Sequence, residues 1–154
     1  MEFYLKIEGL EELQARLRTA SAQVHGELVG AMWRSVFTVE RNVKMRTPVD
    51  TGRLRSSIGS NVEALGGAVT GYIGTNVEYA PHVEFGTGPH VIVPRRARCL
   101  HWVSKAGEHV FAMRVQHPGT KARRMFQEGL EASEDEVVRH FEGAAERIVR
   151  WLAS

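Results

Sequence analysis

The sequence predicts an α+β fold in which a long N-terminal amphipathic helix and C-terminal helices pack on a small, mostly antiparallel β-sheet with an extended loop. Three observations support this class. Apolar residues recur at helical spacing over about thirty N-terminal residues, short apolar runs punctuated by Gly and Pro fill the middle, and helical spacing returns near the C-terminus. The chain has 154 residues, 43% hydrophobic and 25% charged, which fits one globular domain and excludes wholesale disorder.

The N-terminal part predicts a short strand over residues 3–7 and then the long helix, which ends before Pro48 because proline disfavours helical backbone in the preceding residue. At about 1.5 Å per residue the helix is roughly 50 Å long, more than the width expected of a globule of this size. Two alternatives follow: the helix breaks near Gly26 or Gly30, or part of its apolar face contacts another chain. Its apolar stripe consists of Leu10, Leu13, Leu17, Val24, Leu28, Met32, Val39 and Val43, with Ala20, Ala31 and Val36 beside it.

The segment that follows, residues 47–57, is rich in Pro, Asp, Thr and Gly, which is typical of a turn. We expect the carboxylate of Asp50 to accept a hydrogen bond from the amide of Gly52, as in an Asx turn. Residues 58–65 and 69–75 then predict a β-hairpin around a Gly-Gly turn.

The next part of the chain combines short strands with exposed loops. Residues 79–85 have helix-like spacing that an internal proline limits to a first helical turn or an irregular segment. Residues 84–98 predict a long exposed loop, short of internal hydrogen-bond partners, with a strand at 91–93. Two further strands, 99–104 and 109–115, form a second predicted hairpin.

After a predicted turn at 116–120, the C-terminal part is helical. A short helix carries Met125, Phe126 and Leu130 on one face. Ser133 and Glu136 have the spacing of a capping box, which predicts the start of the last helix. The apolar stripe of that helix consists of Val137, Phe141, Ala144 or Ala145, Ile148, Val149 and Leu152.

The net charge of +2 is small, but its distribution is uneven. Acidic residues collect towards the two ends of the sequence, and this separation suits head-to-tail contact between copies of the chain as well as it suits DNA. Cations form three clusters: Arg41 to Arg55, the Arg95, Arg96 and Arg98 group, and the Lys121, Arg123 and Arg124 group.

No catalytic or cofactor motif stands out. The Gly-rich segment 86–90 lacks the lysine of a phosphate-binding loop. His101 and His109 flank one predicted hairpin near Cys99, but no spacing brings three or four zinc ligands together. The single cysteine excludes an internal disulfide. We therefore predict a protein that is not an enzyme and has no metal, no cofactor and no membrane span.

Four segments together resemble one known family. TPVDTGRLRSSI at 47–58, YAPHVEFGT at 79–87, PHVIVP at 89–94 and VQHPGT at 115–120 are similar to motifs of the HK97 gp10-like phage proteins. One difference is Arg124-Met125-Phe126, where the family commonly has Pro-Phe.

This resemblance implies a structural virion protein of a tailed bacteriophage or of a domesticated phage-like particle. Members of the family are tail-completion, neck or head–tail joining components. The resemblance implies a ring of copies at a six- or twelve-fold axis, assembled in the host cytoplasm at the head–tail junction. Its partners are the neighbouring head-completion or connector proteins and tail-tube or tail-terminator proteins, and DNA passes through its lumen.

We predict that residues 46–57 and 84–98 carry much of the assembly contact. Two alternatives remain open: a nucleic-acid-binding accessory protein that uses the basic clusters, and a small hydrolase. A third alternative concerns residues 47–57 alone, which would have a purely structural role as a tight turn held by Asp50 and Thr51. The predicted interface residues are Asp50, Arg53, Leu54, Arg55, Glu84, Phe85, Arg95 and Arg96.

Overall fold

The computed structural model of the chain describes residues 10–65 and 67–154. It confirms the α+β class. The predicted strand at residues 3–7 lies outside the described residues. In chain order the elements are α1 (Leu10–Arg46), α2 (Arg53–Ser57), β1 (Gly59–Leu65), β2 (Ala68–Gly74), α3 (Ala80–Phe85), β3 (His90–Ile92), β4 (Leu100–Val103), β5 (His109–Ala112), β6 (Val115–His117), α4 (Met125–Glu131) and α5 (Glu134–Ala153).

The described chain forms two compact units. The first comprises α1, α2, β1, β2, α4 and α5, and the second is the segment Val77–Arg124, which contains α3 and β3 to β6. Each of the three β-ladders has two antiparallel strands, so the structure has three small sheets where the sequence predicted one. The prediction of a single domain stays a prediction.

Helix α1 organises the first unit. It runs unbroken through Gly26 and Gly30 for 37 residues, about 55 Å at the usual helical rise. Of the two alternatives, a break near these glycines is therefore wrong, and contact of the apolar face with another chain stays a prediction. The helix contacts α4, α5, β1 and β2. These contacts bury part of the predicted stripe, and the buried apolar side chains of this unit are Ala31, Val36, Val39, Val43, Leu54, Ile58, Met125 and Ala144.

Helix α4 reaches α1 through a close backbone approach at Gly129. A Cβ atom built on this glycine lies 2.6 Å from Val43 Cγ2 and 2.9 Å from the Val43 Cα and N atoms. The absence of a side chain at this buried position therefore sets the distance between the two helices.

The capping box predicted at the start of α5 is wrong. Ser133 is the N-cap residue, but its side chain makes no capping hydrogen bond. Its hydroxyl donates to the carbonyl of Gly129 at 2.6 Å and accepts from Asn42 Nδ2 at 2.7 Å. Glu136, the predicted partner, accepts hydrogen bonds from Thr38 and Arg41 of α1 instead. Both side chains therefore bind α1 instead of capping α5.

The predicted first hairpin is confirmed. Strands β1 and β2 pair antiparallel in a register that sets Gly59 opposite Gly74 and Leu65 opposite Ala68. The expected Asx turn, in which Asp50 accepts from the amide of Gly52, is wrong. In the structure the side-chain acceptor in this segment is Thr51 Oγ1, which lies 3.4 Å from the amide nitrogen of Arg53.

In the second unit, α3 is a six-residue helix with Pro81 in its first positions, so the helical alternative for this segment is confirmed over the irregular one. Strands β4 and β5 confirm the second hairpin, with Trp102 opposite Val110. The strand predicted over 109–115 is split, because Val115 belongs to β6, which pairs with β3. Residues 116 and 117, predicted as a turn, lie in that strand.

The loop 84–98 is more ordered than the sequence predicts. Thr87 exchanges two backbone hydrogen bonds with Thr120, both 3.0 Å, and β3 lies within the loop. The expectation that this loop lacks internal hydrogen-bond partners is therefore wrong for residues 87–92. Among the described residues, no helix is both long enough and apolar enough to span a membrane.

Candidate assembly interface

The segment between α1 and β1 is held in place by buried side chains. Helix α1 ends in a double contact to the carbonyl of Val43, from the amide of Thr47 at 3.0 Å and from its hydroxyl at 2.8 Å. Gly52, at φ +82, provides the left-handed backbone that leads into α2. Leu54 and Ile58 are buried. This anchoring leaves the side chains of Asp50, Arg53 and Arg55 on the surface.

Leu54 is therefore a core residue of the first unit, although the sequence placed it in the assembly interface. It lies between two interface candidates, Arg53 and Arg55, and both of these are exposed. Since the three residues occupy one short helix, burial of the leucine turns the two arginines outward. Asp50 is also exposed.

An open groove of about 1060 Å³ lies between the last turns of α1 and residues 51–56. We call it the basic groove, and it brings together predicted residues and residues that the sequence analysis did not assign to the site. From α1 come Phe37, Glu40, Arg41, Lys44 and Met45, and from the turn and α2 come Thr51, Gly52, Arg53, Arg55 and Ser56.

The groove combines positive charge with exposed apolar surface. Phe37 is 56% exposed and Met45 is 67% exposed. They lie eight residues apart on α1, with Arg41 midway between them, so the three share one helical face. Such a surface suits a partner that presents carboxylates around apolar side chains.

Glu40 is the one acidic residue in the lining, and it is neutralised locally. Its carboxylate accepts from Lys44 Nζ and from Ser60 Oγ. Partial burial raises the pKa of Glu40, but the hydrogen bonds from Lys44 and Ser60 and the charge of Lys44 outweigh this, so the pKa lies below its ordinary value. Glu40 therefore stays ionised and holds Lys44 in place.

Arg41 is similarly fixed, by an ion pair to Glu136 of α5 at 2.9 Å. Desolvation raises the pKa of Glu136, whereas hydrogen bonds from Thr38 and Arg41 and the charges of Arg41 and His140 lower it, with a net decrease. This pair joins the groove to the contact between α1 and α5. In the part of the chain that the structure describes, Arg53 and Arg55 make no ion pair, and their guanidinium groups remain available to a partner.

The second predicted segment presents one large apolar side chain. Phe85, at the end of α3, is 79% exposed. Glu84, expected beside it as a polar anchor, is instead buried, so its side chain offers little surface to a neighbour. The backbone here is held by hydrogen bonds from Arg123 to the carbonyl of Val83, 2.9 Å, and from Arg124 to that of Glu84, 3.1 Å.

The arginines of the second cluster, Arg95, Arg96 and Arg98, are all exposed. Four of the seven histidines come together in two pairs. His101 and His109 form a hydrogen bond of 2.8 Å, and the rings of His90 and His117 lie 5.0 Å apart. Within the described residues no group of three or more His, Cys, Asp or Glu side chains is arranged to hold a metal ion.

Residues 11–86, which include α1, the groove and α3, match the family described as "Bacteriophage HK97-gp10, putative tail-component". The chain belongs to the HK97-gp10-like family. No curated protein and no solved structure gives a significant match to the chain.

Membership of the HK97-gp10-like family confirms the resemblance that the motifs at 47–58 and 79–87 indicated, because both lie almost wholly within the matched segment. The family is one of phage tail components, so the chain has a structural role in a phage tail and is associated with the virion. The motifs at 89–94 and 115–120 lie beyond the match.

Proposed function

We propose that this HK97-gp10-like protein is a tail-completion or neck component at the head–tail junction, and that it acts as a closed ring of copies. Its partners in this proposal are head-completion or connector proteins on one side and tail-tube or tail-terminator proteins on the other. DNA passes through the lumen without sequence-specific contacts. The protein performs no enzymatic reaction.

The observation that carries the proposal is the basic groove. A rigid turn presents Arg53 and Arg55 next to the exposed Phe37 and Met45. Interfaces between proteins are enriched in arginine and in large apolar side chains. A ring component needs complementary faces towards its own copies and further faces towards the head and tail proteins, and the groove supplies one basic face among these.

Sparse burial in the second unit supports the same proposal. Of residues 77–124, all of which the structure describes, only Val77, Ala80 and Glu84 are buried. Two-stranded ladders are marginally stable unless one face is covered. A segment of this kind gains stability from contact with neighbouring subunits.

The test is the double variant Arg53→Glu/Arg55→Glu, produced in particles that lack the natural copy. We expect heads and tails that do not join, seen by electron microscopy as separate structures, while the purified subunit keeps its circular dichroism spectrum and thermal midpoint. The matched control, Arg34→Glu/Arg150→Glu, makes the same charge change at exposed positions outside the groove. Normal joining with the Arg53→Glu/Arg55→Glu variant would overturn the proposal.

A further inference from the structure

The second unit contains a basic hairpin that also exposes large apolar side chains. Residues 95–114, here called the arm, contain β4 and β5 and carry five Lys or Arg side chains and one Glu. All six of these charged side chains are exposed. The arm is therefore a strongly cationic surface within a protein of nearly balanced charge.

Both faces of the arm are also apolar. The register sets Trp102 and Val110 on one face and Phe111 opposite His101 on the other. Phe111 is 64% exposed, and Met113 just beyond β5 is 68% exposed. The ladder has two strands, so each strand has one unpaired edge. Exposed aromatic side chains and cations in one segment are typical of a protein-binding surface.

A surface of opposite charge occurs at the α4–α5 junction of the first unit. Residues 125–138 contain five acidic side chains and no Lys or Arg. We call its exposed part the acidic corner, and it also exposes two apolar side chains, Leu130 at 53% and Val138 at 54%. Its exposed acidic and large apolar residues are Glu128, Leu130, Glu131, Glu134, Asp135 and Val138.

The backbone of the acidic corner is anchored to α1. Gly129 packs against the backbone of Val43, and Ser133 bonds to both Asn42 and Gly129. These contacts hold the first turn of α5, from which the carboxylates project, against α1. A preorganised surface binds a partner at a smaller entropic cost than a mobile one.

We propose that the arm of one subunit docks on the acidic corner of the next subunit in the ring. This inference rests on the proposed ring, and it names the two faces that meet. The surfaces are complementary in charge, each adds exposed apolar side chains, and both are uncovered within a single chain. Because the faces differ, the contact is heterologous and repeats from subunit to subunit until the ring closes. A second copy is favoured over DNA because the arm exposes apolar side chains as well as cations, whereas phosphate binding requires cations alone.

Two charge-reversal variants test the docking in particles that lack the natural copy. The arm variant is Arg95→Glu/Arg96→Glu, and the corner variant is Glu134→Lys/Asp135→Lys. Alone, each variant places like charges at every arm–corner contact, so we expect few joined particles. Expressed together, the two variants can alternate around the ring. The reversed arm of one variant then meets the reversed corner of the other, and the natural arm meets the natural corner, so every contact joins opposite charges. We expect co-expression to restore joining, as we do for a single chain that carries all four changes.

The controls separate this inference from the proposed function. Arg34→Glu/Arg150→Glu should join normally, and circular dichroism should report folded subunits throughout. The proposed function fails if particles lacking this chain join normally. The docking inference alone fails if Arg53→Glu/Arg55→Glu stops joining but the arm or corner variant does not. It also fails if joining is restored neither by co-expression of the arm and corner variants nor by the chain with all four changes. If the arm variant then also binds DNA more weakly than the natural protein, the arm is a DNA-binding surface.

Discussion

Asn42 of α1 donates a buried hydrogen bond of 2.7 Å to the hydroxyl of Ser133, 91 residues away. The same hydroxyl donates to the carbonyl of Gly129. One small side chain therefore joins α1, the end of α4 and the start of α5. It also fixes the place from which the acidic residues of α5 project.

Replacing Ser133 with Ala removes the acceptor of Asn42 and leaves a buried amide without its partner. We expect the free energy of unfolding to fall by about 1–3 kcal/mol, the usual cost of an unsatisfied buried polar group. Urea denaturation measures this, with the exposed Ser21→Ala as control. Equal midpoints for Ser133→Ala and the natural protein would contradict the role given to this bond.

Gly129→Ala tests the close approach of α4 to α1. The new methyl group meets the backbone of Val43, which cannot rotate away as a side chain does. Overpacking of this kind costs about 1–3 kcal/mol. The control is Gly143→Ala in α5, where the nearest atom belongs to the flexible Arg147 side chain at 3.4 Å. There we expect a gain of about 0.5–1 kcal/mol from helix propensity. Thermal unfolding of both variants gives the comparison, and a stabilised Gly129→Ala would refute the packing argument.

The lowered pKa of Glu136 gives a direction for the pH dependence of stability. Its ionised form is favoured in the folded state, so its contribution is complete above the unfolded-state value near 4.5 and is lost as the pH falls through the lower folded-state pKa. Urea titrations at decreasing pH should show stability falling in that acid range. Glu136→Gln should flatten this slope, whereas Glu142→Gln, an exposed acid of the same helix, should not. Parallel slopes for the natural protein and Glu136→Gln would exclude a contribution from the pair with Arg41.

Phe85 offers a test of the second assembly segment. Because this side chain is largely exposed, Phe85→Ser should leave the thermal midpoint of the isolated subunit unchanged. If Phe85 is an apolar anchor on a neighbour, its loss weakens the contact by about 2 kcal/mol or more, and counts of joined particles should fall. Leu65→Ser, at an even more exposed position, is the matched control. Equal joining by both variants would remove Phe85 from the interface.

The candidate site was partly predictable. The turn chemistry of 47–57 and its arginines were visible in the sequence, because Pro, Asp and Gly act on the local backbone. The contribution of Phe37 and Met45 was missed, although their steps of four residues around Arg41 were a usable signal. They lie outside the main apolar stripe, and only the position of α2 beside α1 makes them part of a groove. Burial of Leu54 and Glu84 was not predictable, because the type of a residue does not reveal which other residues pack around its side chain in the folded chain.

The sequence alone determined the α+β class, the long first helix with its end before Pro48, both hairpins and the family, because periodicity, turn residues and motifs are properties of neighbouring residues. The tertiary structure decided the rest: the continuity of α1 through two glycines, the division of the strands into three ladders, and the use of Ser133 and Glu136 to bind α1 instead of capping α5. These outcomes depend on contacts beyond neighbouring residues: β3 pairs with β6 across the β4–β5 hairpin, and Ser133 and Glu136 bind α1 residues more than ninety positions away. A polar side chain satisfies its hydrogen bonds with the partners that the packed chain brings within reach.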